Sequence, residues 1–198
     1  MRRSLGVALV GLFLSLPLAA QASGGMASMS SSTPNLDVVR AALAKYKDPI
    51  AALGDGYLST LVCLQFPASN EPGHMAVKAG GMGVHFLNAS LIGPTVDSTK
   101  PQVLIYEPVG DSLKLAAAEW FVPVAVQAQQ PTLFGHPFDG PMEGHAPIMP
   151  ASLTHWDLHV WLWKANPAGT FNSTNPSLKC PAKAYTVTGS APHMVEQH

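Results

Sequence analysis

The sequence has little charge, because only 12% of its 198 residues are Asp, Glu, Lys or Arg, against roughly 25% in an average soluble domain. Arginine is scarce, since Arg40 is the only one outside the Arg2-Arg3 pair, and the formal net charge is -1. A chain without a basic patch has no electrostatic attraction for a phosphate backbone, which excludes nucleic acid as a partner. With 47% hydrophobic residues, the chain is too apolar to be disordered, and its length fits one domain.

Sequence motifs that mark common catalytic and cofactor sites are absent. The chain has no nucleophile elbow, no phosphate-binding loop, no dinucleotide fingerprint and no Cys-x-x-Cys-His for covalent haem. No reaction therefore follows from a local motif. Any chemistry must come from side chains that the fold brings together.

Long hydrophobic runs are also missing, since the apolar run over residues 5–16 falls short of the roughly 20 residues of a membrane-spanning helix. Arg2-Arg3 precedes this run, and small residues at Ala20-Gln21-Ala22 follow it in the pattern of a signal-peptidase site. We predict a secretory signal peptide over residues 1–22, and hence a periplasmic or extracellular protein without a membrane span after cleavage. An uncleaved membrane anchor is the alternative.

The rest of the chain divides by composition. Residues 23–34 are mostly Ser, Gly, Met and Ala without apolar periodicity, which predicts a flexible tether. Residues 35–190 are predicted to form a single globular domain, and residues 191–198 a C-terminal tail. The domain has two cysteines, Cys63 and Cys180, and an oxidising compartment favours their pairing. We predict one disulfide, with two buried free thiols as the alternative.

The domain begins with helical periodicity and continues with strands. Asn35 can cap a helix that starts at Leu36 and that Pro49 ends, and a second short helix fits residues 50–53. Apolar runs between turn signals predict strands over residues 102–107, 113–122, 156–163 and 185–188. The predicted fold class is α+β, with an N-terminal helix or helix pair packed on an antiparallel sheet and a barrel-like form left open.

A proline- and glycine-rich stretch over residues 129–152 is predicted to be an ordered loop without regular structure. Long ordered loops of this kind often line a functional site. The strands on either side of it carry polar side chains on alternating positions. The residues predicted to share a face in the earlier strand are Leu113, Leu115, Ala117, Glu119 and Phe121, and those in the later strand are Asp157, His159, Trp161 and Trp163.

Three residues place a metal-capable side chain where an apolar core would not favour one: His85, Glu119 and His159. Imidazole and carboxylate are ligands of divalent ions such as zinc, which need donors that converge at about 2 Å on a rigid scaffold. We predict that these three converge, with His155 and Asp157 as alternates or as partners behind the ligands. Because His155 and His159 are roughly 13 Å apart along an extended strand, both bind one ion only if the strand bends or starts after His155.

The same residues allow two other interpretations. His85 and His159 can be core histidines that hydrogen-bond to the backbone or to Glu119. Glu119 and His159 can also form a catalytic pair without a metal, in which Glu119 is a general base whose pKa an apolar site raises. An ion with an open coordination position would instead activate water, as in a hydrolase, lyase or oxygenase.

The ion itself is predicted to be zinc or copper. The His/Glu set suits zinc and other borderline ions. Copper accepts thioether and imidazole ligands, and methionine lies close to histidine at four places. These are His74-Met75, Met82 with His85, Met142 with His145, and His193-Met194.

Several segments together resemble a family of secreted bacterial proteins that has no established activity. These segments are residues 42–46, 56–57, 82–88, 103–108, 118–120, 133–135, 158–163, 166–171 and 175–180, and they cover most of the chain after the signal peptide. Trp120 stands where the family has tyrosine. The resemblance implies export and places His85, Glu119, His159 and both cysteines inside the family's characteristic segments. It implies no reaction.

We therefore predict an exported small protein that binds a divalent metal or a small molecule through a His/Glu site on the sheet, with catalysis by Glu119 and His159 left open. The alternative is a non-catalytic envelope or binding protein whose histidines are structural core residues. Homodimerisation through an exposed sheet edge is compatible with the sequence, which offers no support for it.

Overall fold

The computed structural model describes residues 36–196. The predicted signal peptide (1–22), the predicted tether (23–34) and Asn35 lie outside these residues. Within residues 36–196, no helix is both long enough and apolar enough to cross a membrane.

Two short helices open the described chain. Helix α1 spans Leu36–Leu43 and continues into a 3₁₀ turn at Ala44–Lys47, and helix α2 spans Pro49–Gly54. Pro49 does not end the first helix as predicted but is the first residue of α2. Proline is favourable there because the first N–H groups of a helix have no hydrogen-bond acceptor within the helix. The side chain of Asp48 caps α2 by accepting a hydrogen bond from the backbone N–H of Ile50 at 2.9 Å.

Nine strands follow within residues 36–196, and seven of them form one sheet in the order β7-β8-β4-β3-β2-β1-β9. Neighbouring strands of this sheet are antiparallel, except that β1 and β9 are parallel. The sheet curls into half a barrel, so the α+β prediction holds with β structure dominant. The strand bounds are β1 Leu58–Phe66, β2 Gly80–Leu87, β3 Val103–Val109, β4 Ser112–Pro123, β5 Thr132–Leu133, β6 His136–Pro137, β7 Asp139–Met142, β8 His155–Val160 and β9 Thr186–Thr188.

The stretch over residues 129–152 is not free of regular structure, which corrects the sequence prediction. Strands β5 and β6 form a separate two-stranded sheet within it, and β7 pairs with β8 at the edge of the main sheet. The edge of β8 offers backbone groups that a neighbouring strand can satisfy, and this tertiary pairing outweighs the local signals of proline and glycine.

The sheet has two buried faces. The helix face lies under α1 and α2, where Val39 and Leu43 pack in one apolar cluster with Leu104, Tyr106 and Trp120. Each such side chain contributes roughly 1.5 to 3 kcal/mol when it is fully buried. We call the opposite face the site face, and its apolar residues include Cys63, Val103, Ile105, Ala117 and Phe121.

Strand β4 contains a β-bulge that changes which side chains share a face. Ala117 and Leu115 pair with adjacent residues of β3, so Ala116 is the extra residue. One extra residue reverses the alternation of side chains. Leu115 therefore packs on the helix face, and the prediction that it shares a face with Glu119 is wrong. Ala117 and Phe121 lie on the site face, as predicted.

Strand β8 ends at Val160, three residues before the predicted end. Beyond it, the backbone N–H of Trp161 donates to the carbonyl of Thr170 at 2.9 Å, and that of Trp163 donates to the carbonyl of Ala116 at 3.0 Å. The chain therefore leaves the ladder, and Trp163 packs on the helix face. The predicted shared face of Trp161 and Trp163 is wrong for this reason.

The two cysteines form the predicted disulfide, which joins Cys63 of β1 to Cys180 with the Cα atoms 5.7 Å apart. The segment assigned to a C-terminal tail lies against the sheet over its described part. His193 bridges to His74, and Met194 bridges to Met142 of β7. The second bridge places Met194 beside β7.

Candidate metal centre

Strand register brings His85, Glu119 and His159 to one place on the site face. Glu119 of β4 lies directly opposite His159 of β8 and opposite Val103 of β3. His85 of β2 lies directly opposite Ile105, the residue of β3 two positions after Val103. Directly paired residues share a face, so the three polar side chains point to the same side of the curled sheet.

The side chains of these three residues, which we call the first group, converge closely. Glu119 Oε2 lies 3.5 Å from His85 Nε2 and 3.5 Å from His159 Nε2. One ligand atom from each of the three lies within 4.8 Å of the other two. The side chains of His85, Glu119 and His159 are 5%, 5% and 1% exposed, so all three are buried.

The spacing in the first group suits a metal better than a hydrogen bond. Hydrogen bonds between nitrogen and oxygen span roughly 2.7 to 3.2 Å. Two ligands bound about 2.1 Å from a tetrahedral ion are separated by about 3.4 Å, since a tetrahedron's edge is about 1.6 times its centre-to-corner distance. The 3.5 Å distances from Glu119 to the two imidazoles match the second value. The arrangement can therefore hold a divalent ion.

His155, the remaining predicted metal ligand, belongs to a second group of three residues with His145 and Asp157. His155 Nε2 lies 3.7 Å from Asp157 Oδ2, and both side chains are 0% exposed. His155 pairs with Met142 of β7 at the far end of β8. The separation along β8 thus divides His155 from His159.

Asp157 belongs to the second group and also contacts His159 of the first group. Its Oδ1 is 3.6 Å from His159 Nδ1, on the ring edge opposite to the one that faces Glu119. Its Oδ2 faces His155. Metal-ligating histidines usually direct their second ring nitrogen at a carboxylate or carbonyl, which fixes the orientation of the ring. Asp157 occupies that position relative to His159.

Unpaired buried polar atoms concentrate in these two groups. Nine buried side-chain nitrogen or oxygen atoms in residues 36–196 have no hydrogen-bond partner, and eight of them belong to the six residues of the two groups. Since buried polar groups in folded proteins are nearly always paired, such a concentration indicates a functional requirement at this place. The ninth atom is Thr60 Oγ1, which lines the cavity described below.

Burial and mutual charge set the protonation of the first group. Burial, followed by the charge of His159, lowers the pKa of His85 to about 3. Burial raises the pKa of Glu119 to about 7, against the opposing charge of His159. Burial alone would lower the pKa of His159, but the charges of Glu119 and Asp157 raise it to about 9. At neutral pH, His85 therefore keeps a free lone pair while His159 carries a proton that a bound cation would displace.

In the second group, too, burial and neighbouring charges shift the pKa values in opposite directions. Burial lowers the pKa of His145 to about 4. Burial alone would raise the pKa of Asp157, but the charges of His159 and His155 hold it well below its ordinary value. Burial alone would also lower the pKa of His155, but its contact with Asp157 raises it. The group thus contains a firmly ionised carboxylate beside a neutral imidazole.

A cavity of about 230 Å³ lies beside the first group. Its polar wall consists of Thr60, His85, Glu119 and His145. The rest of the lining is largely apolar and includes Leu87, Ile92, Val103, Phe121, Ile148, Met149 and Leu153. A cavity of this size and polarity accommodates a small, mostly apolar molecule with a polar group directed at His85 and Glu119.

No protein-family model, curated protein or solved structure matches the chain. The resemblance to a family of secreted bacterial proteins remains a prediction from the residues.

The other described histidines lie away from both groups. His74 Nε2 and His193 Nε2 are 3.1 Å apart near the surface, which brings together two of the Met–His neighbours noted in the sequence. The exposed His136 stacks on Phe171 with ring centroids 3.7 Å apart. His145 belongs to the second group but was not among the predicted metal ligands. The sequence indicated it only as the neighbour of Met142 in the Met–His pattern and by its place in the proline- and glycine-rich stretch that was expected to line a site.

Proposed function

We propose that this protein is an exported divalent-metal protein whose centre, formed by His85, Glu119 and His159, binds a small ligand from the adjacent cavity. The observation that carries the proposal is the pair of 3.5 Å distances from Glu119 Oε2 to the two imidazole Nε2 atoms. They are too long for hydrogen bonds and fit two edges of a metal coordination tetrahedron.

Three protein ligands leave the fourth position of a tetrahedral ion for water or a ligand, as in catalytic rather than structural zinc sites. Two of the three, His85 and Glu119, line the cavity, which supports a fourth position on that side. A zinc-bound water has a pKa near 7, so such a centre can supply hydroxide at neutral pH. Glu119 and His159 would then take part in catalysis as ligands.

Zinc is the ion that the donor set favours. Two imidazoles and a carboxylate form the borderline-hard set of catalytic zinc sites, whereas monovalent copper prefers thiolate and thioether donors. The methionine in the cavity wall, Met149, belongs to neither group of polar residues.

Export is part of the proposal. The disulfide between Cys63 and Cys180 supports an oxidising compartment. The predicted signal peptide over residues 1–22 and the resemblance to secreted bacterial proteins agree with it.

A second candidate function is general-base catalysis without a metal. It is favoured by one observation, namely that burial raises the pKa of Glu119 to about 7, which is a suitable value for a base at neutral pH. His159 would then be the charged partner that orients Glu119. Binding of Zn²⁺ distinguishes the two candidates, because only the first requires it.

The test is Zn²⁺ binding by the untagged, chelator-stripped protein, followed by competition with a chromophoric chelator. We expect His85→Ala to weaken Zn²⁺ binding at this centre by more than about 100-fold, the upper range for loss of a partner behind a ligand. Because burial keeps His85 neutral, this variant removes an uncharged imidazole and leaves no buried charge without its partner.

His136→Ala is the matched control, because it removes a histidine that stacks on Phe171 outside both groups. It should bind Zn²⁺ as the wild type does. A folded His85→Ala protein with unchanged Zn²⁺ affinity would contradict the metal centre and favour the interpretation of His85 and His159 as core histidines.

A further inference from the structure

The geometry points to a second divalent-metal site in this protein, formed by His145, His155 and Asp157. We propose that it binds its own ion, so that the sheet carries two metal centres with Asp157 between them. This site goes beyond the proposed function, since none of its three residues is a ligand of the first centre.

The hydrogen bonding of His155 supports a metal ligand. Its Nδ1 lies 3.2 Å from the carbonyl of Leu153, to which only an N–H can donate. This bond fixes the ring so that Nε2 faces Asp157 Oδ2 at 3.7 Å. A ligating histidine characteristically binds a backbone carbonyl through one nitrogen and the ion through the other.

A direct ion pair explains the contact between His155 and Asp157 less well. Charge-assisted hydrogen bonds between an imidazolium and a carboxylate span about 2.7 to 2.9 Å. The observed 3.7 Å leaves His155 Nε2 and both carboxylate oxygens of Asp157 without a hydrogen bond, although all three atoms are buried. Two metal-ligand atoms at this separation can instead bind one ion that lies between them.

His145 completes the set of three residues. Its ring centroid lies 5.4 Å from that of His155, and its Nδ1 is buried without a partner. One ligand atom from each of the three residues lies within 4.8 Å of the other two. Three such points lie at most about 2.8 Å from a common centre, so shifts of less than about 1 Å would bring all three to the roughly 2.1 Å of a zinc site.

The turn around Gly144 holds His145 in this position. A Cβ atom at residue 144 would collide with the carbonyl of Pro150, so the turn requires glycine. The backbone N–H of Gly144 donates to the carbonyl of Ala151, and that of Met149 donates to the carbonyl of His145. His145 therefore sits on a closed turn, where it faces His155 and also lines the cavity.

The experiment counts tightly bound Zn²⁺ by elemental analysis after the untagged protein has been loaded and passed through a desalting column. The wild type is expected to retain two equivalents. His145→Ala and His85→Ala should each retain one, and the double variant none. His74→Ala is the control for the exposed His74–His193 pair and should still retain two.

Two equivalents in His145→Ala, or one in the wild type that only His85→Ala removes, would overturn the second site. Two equivalents in His85→Ala would instead contradict the first centre, so the two proposals fail separately. Because His145 lies on a turn outside the strands, its truncation should leave the fold intact, which circular dichroism checks. If His145→Ala does not fold, His155→Gln replaces it with the same expected loss of one equivalent.

Discussion

Replacing His159 by alanine is expected to destabilise the metal-free protein by about 3 to 5 kcal/mol, the usual cost of leaving a buried charge without its partner. His159 Nε2 faces Glu119 at 3.5 Å, and His159 Nδ1 faces Asp157 at 3.6 Å. The side chains of both carboxylates are nearly or fully buried. Without the imidazolium, these two acidic groups face each other across a cavity with no positive charge between them.

The effect should depend on pH in a defined direction. The pKa of His159 in the folded protein is raised to about 9 from an ordinary value of 6.5. Its stabilising contribution is therefore complete below pH 6.5 and is lost as the pH rises through 9. Urea unfolding of wild type and His159→Ala in the presence of a chelator should show a difference that is large at pH 6 and smaller at pH 9.

The control for this comparison is His136→Ala, which should change the free energy of unfolding by less than about 0.5 kcal/mol, as surface substitutions usually do. A His159→Ala protein that loses under about 1 kcal/mol at pH 6, or whose deficit grows with pH, would show that His159 is neutral in the metal-free state.

Removal of the disulfide is the second large effect. The bridge between Cys63 and Cys180 spans 117 residues, and closing a loop of about 100 residues is worth about 4.7 kcal/mol in the chain-entropy model. We expect Cys63→Ala/Cys180→Ala to lose about 4 kcal/mol and to melt about 10 °C lower. Thermal unfolding followed by circular dichroism measures both quantities.

Reduction of the wild type provides the matched comparison. Dithiothreitol should lower the wild-type melting temperature to near that of the double alanine variant and leave the variant itself unchanged. A shift of less than about 2 °C in both comparisons would mean that the unfolded chain gains little freedom from losing the bridge, and that the loop-entropy account does not apply here.

The sequence alone was sufficient to predict the positions of the strands that have continuous apolar runs. β3 and β4 lie within two residues of their predicted bounds, because burial on both faces leaves a strong apolar signal. The disulfide agrees with export, because it indicates an oxidising compartment. The domain boundaries, the family resemblance and the catalytic roles of Glu119 and His159 stay predictions.

Other features depend on contacts that no local pattern carries. Strand β2 contains Gly80, Gly81 and Gly83, which weaken a strand by propensity. A Cβ at Gly80 would lie 2.6 Å from the backbone of Asn175, and one at Gly83 would lie 2.6 Å from the carbonyl of Tyr106. The glycines therefore serve close packing across distant parts of the chain, which becomes visible only in three dimensions.

The residues of the candidate site could be predicted from the sequence, but their arrangement could not. Strand alternation identifies His85, Glu119 and His159 as polar residues in apolar surroundings, but it does not give the register that sets them side by side. The β-bulge at Ala116 and the turn at Gly144 are single-residue features. Without them, neither the separation of Leu115 from the face of Glu119 nor the place of His145 in the second group follows from the pattern.

Anomalous diffraction at the zinc absorption edge, from crystals of the Zn²⁺-loaded protein, tests the proposed metal centre at its ligand atoms. We predict a peak about 2.0 to 2.2 Å from His85 Nε2, His159 Nε2 and a carboxylate oxygen of Glu119. Zinc peaks confined to surface histidines such as His74 and His193, with none among these three residues, would contradict it.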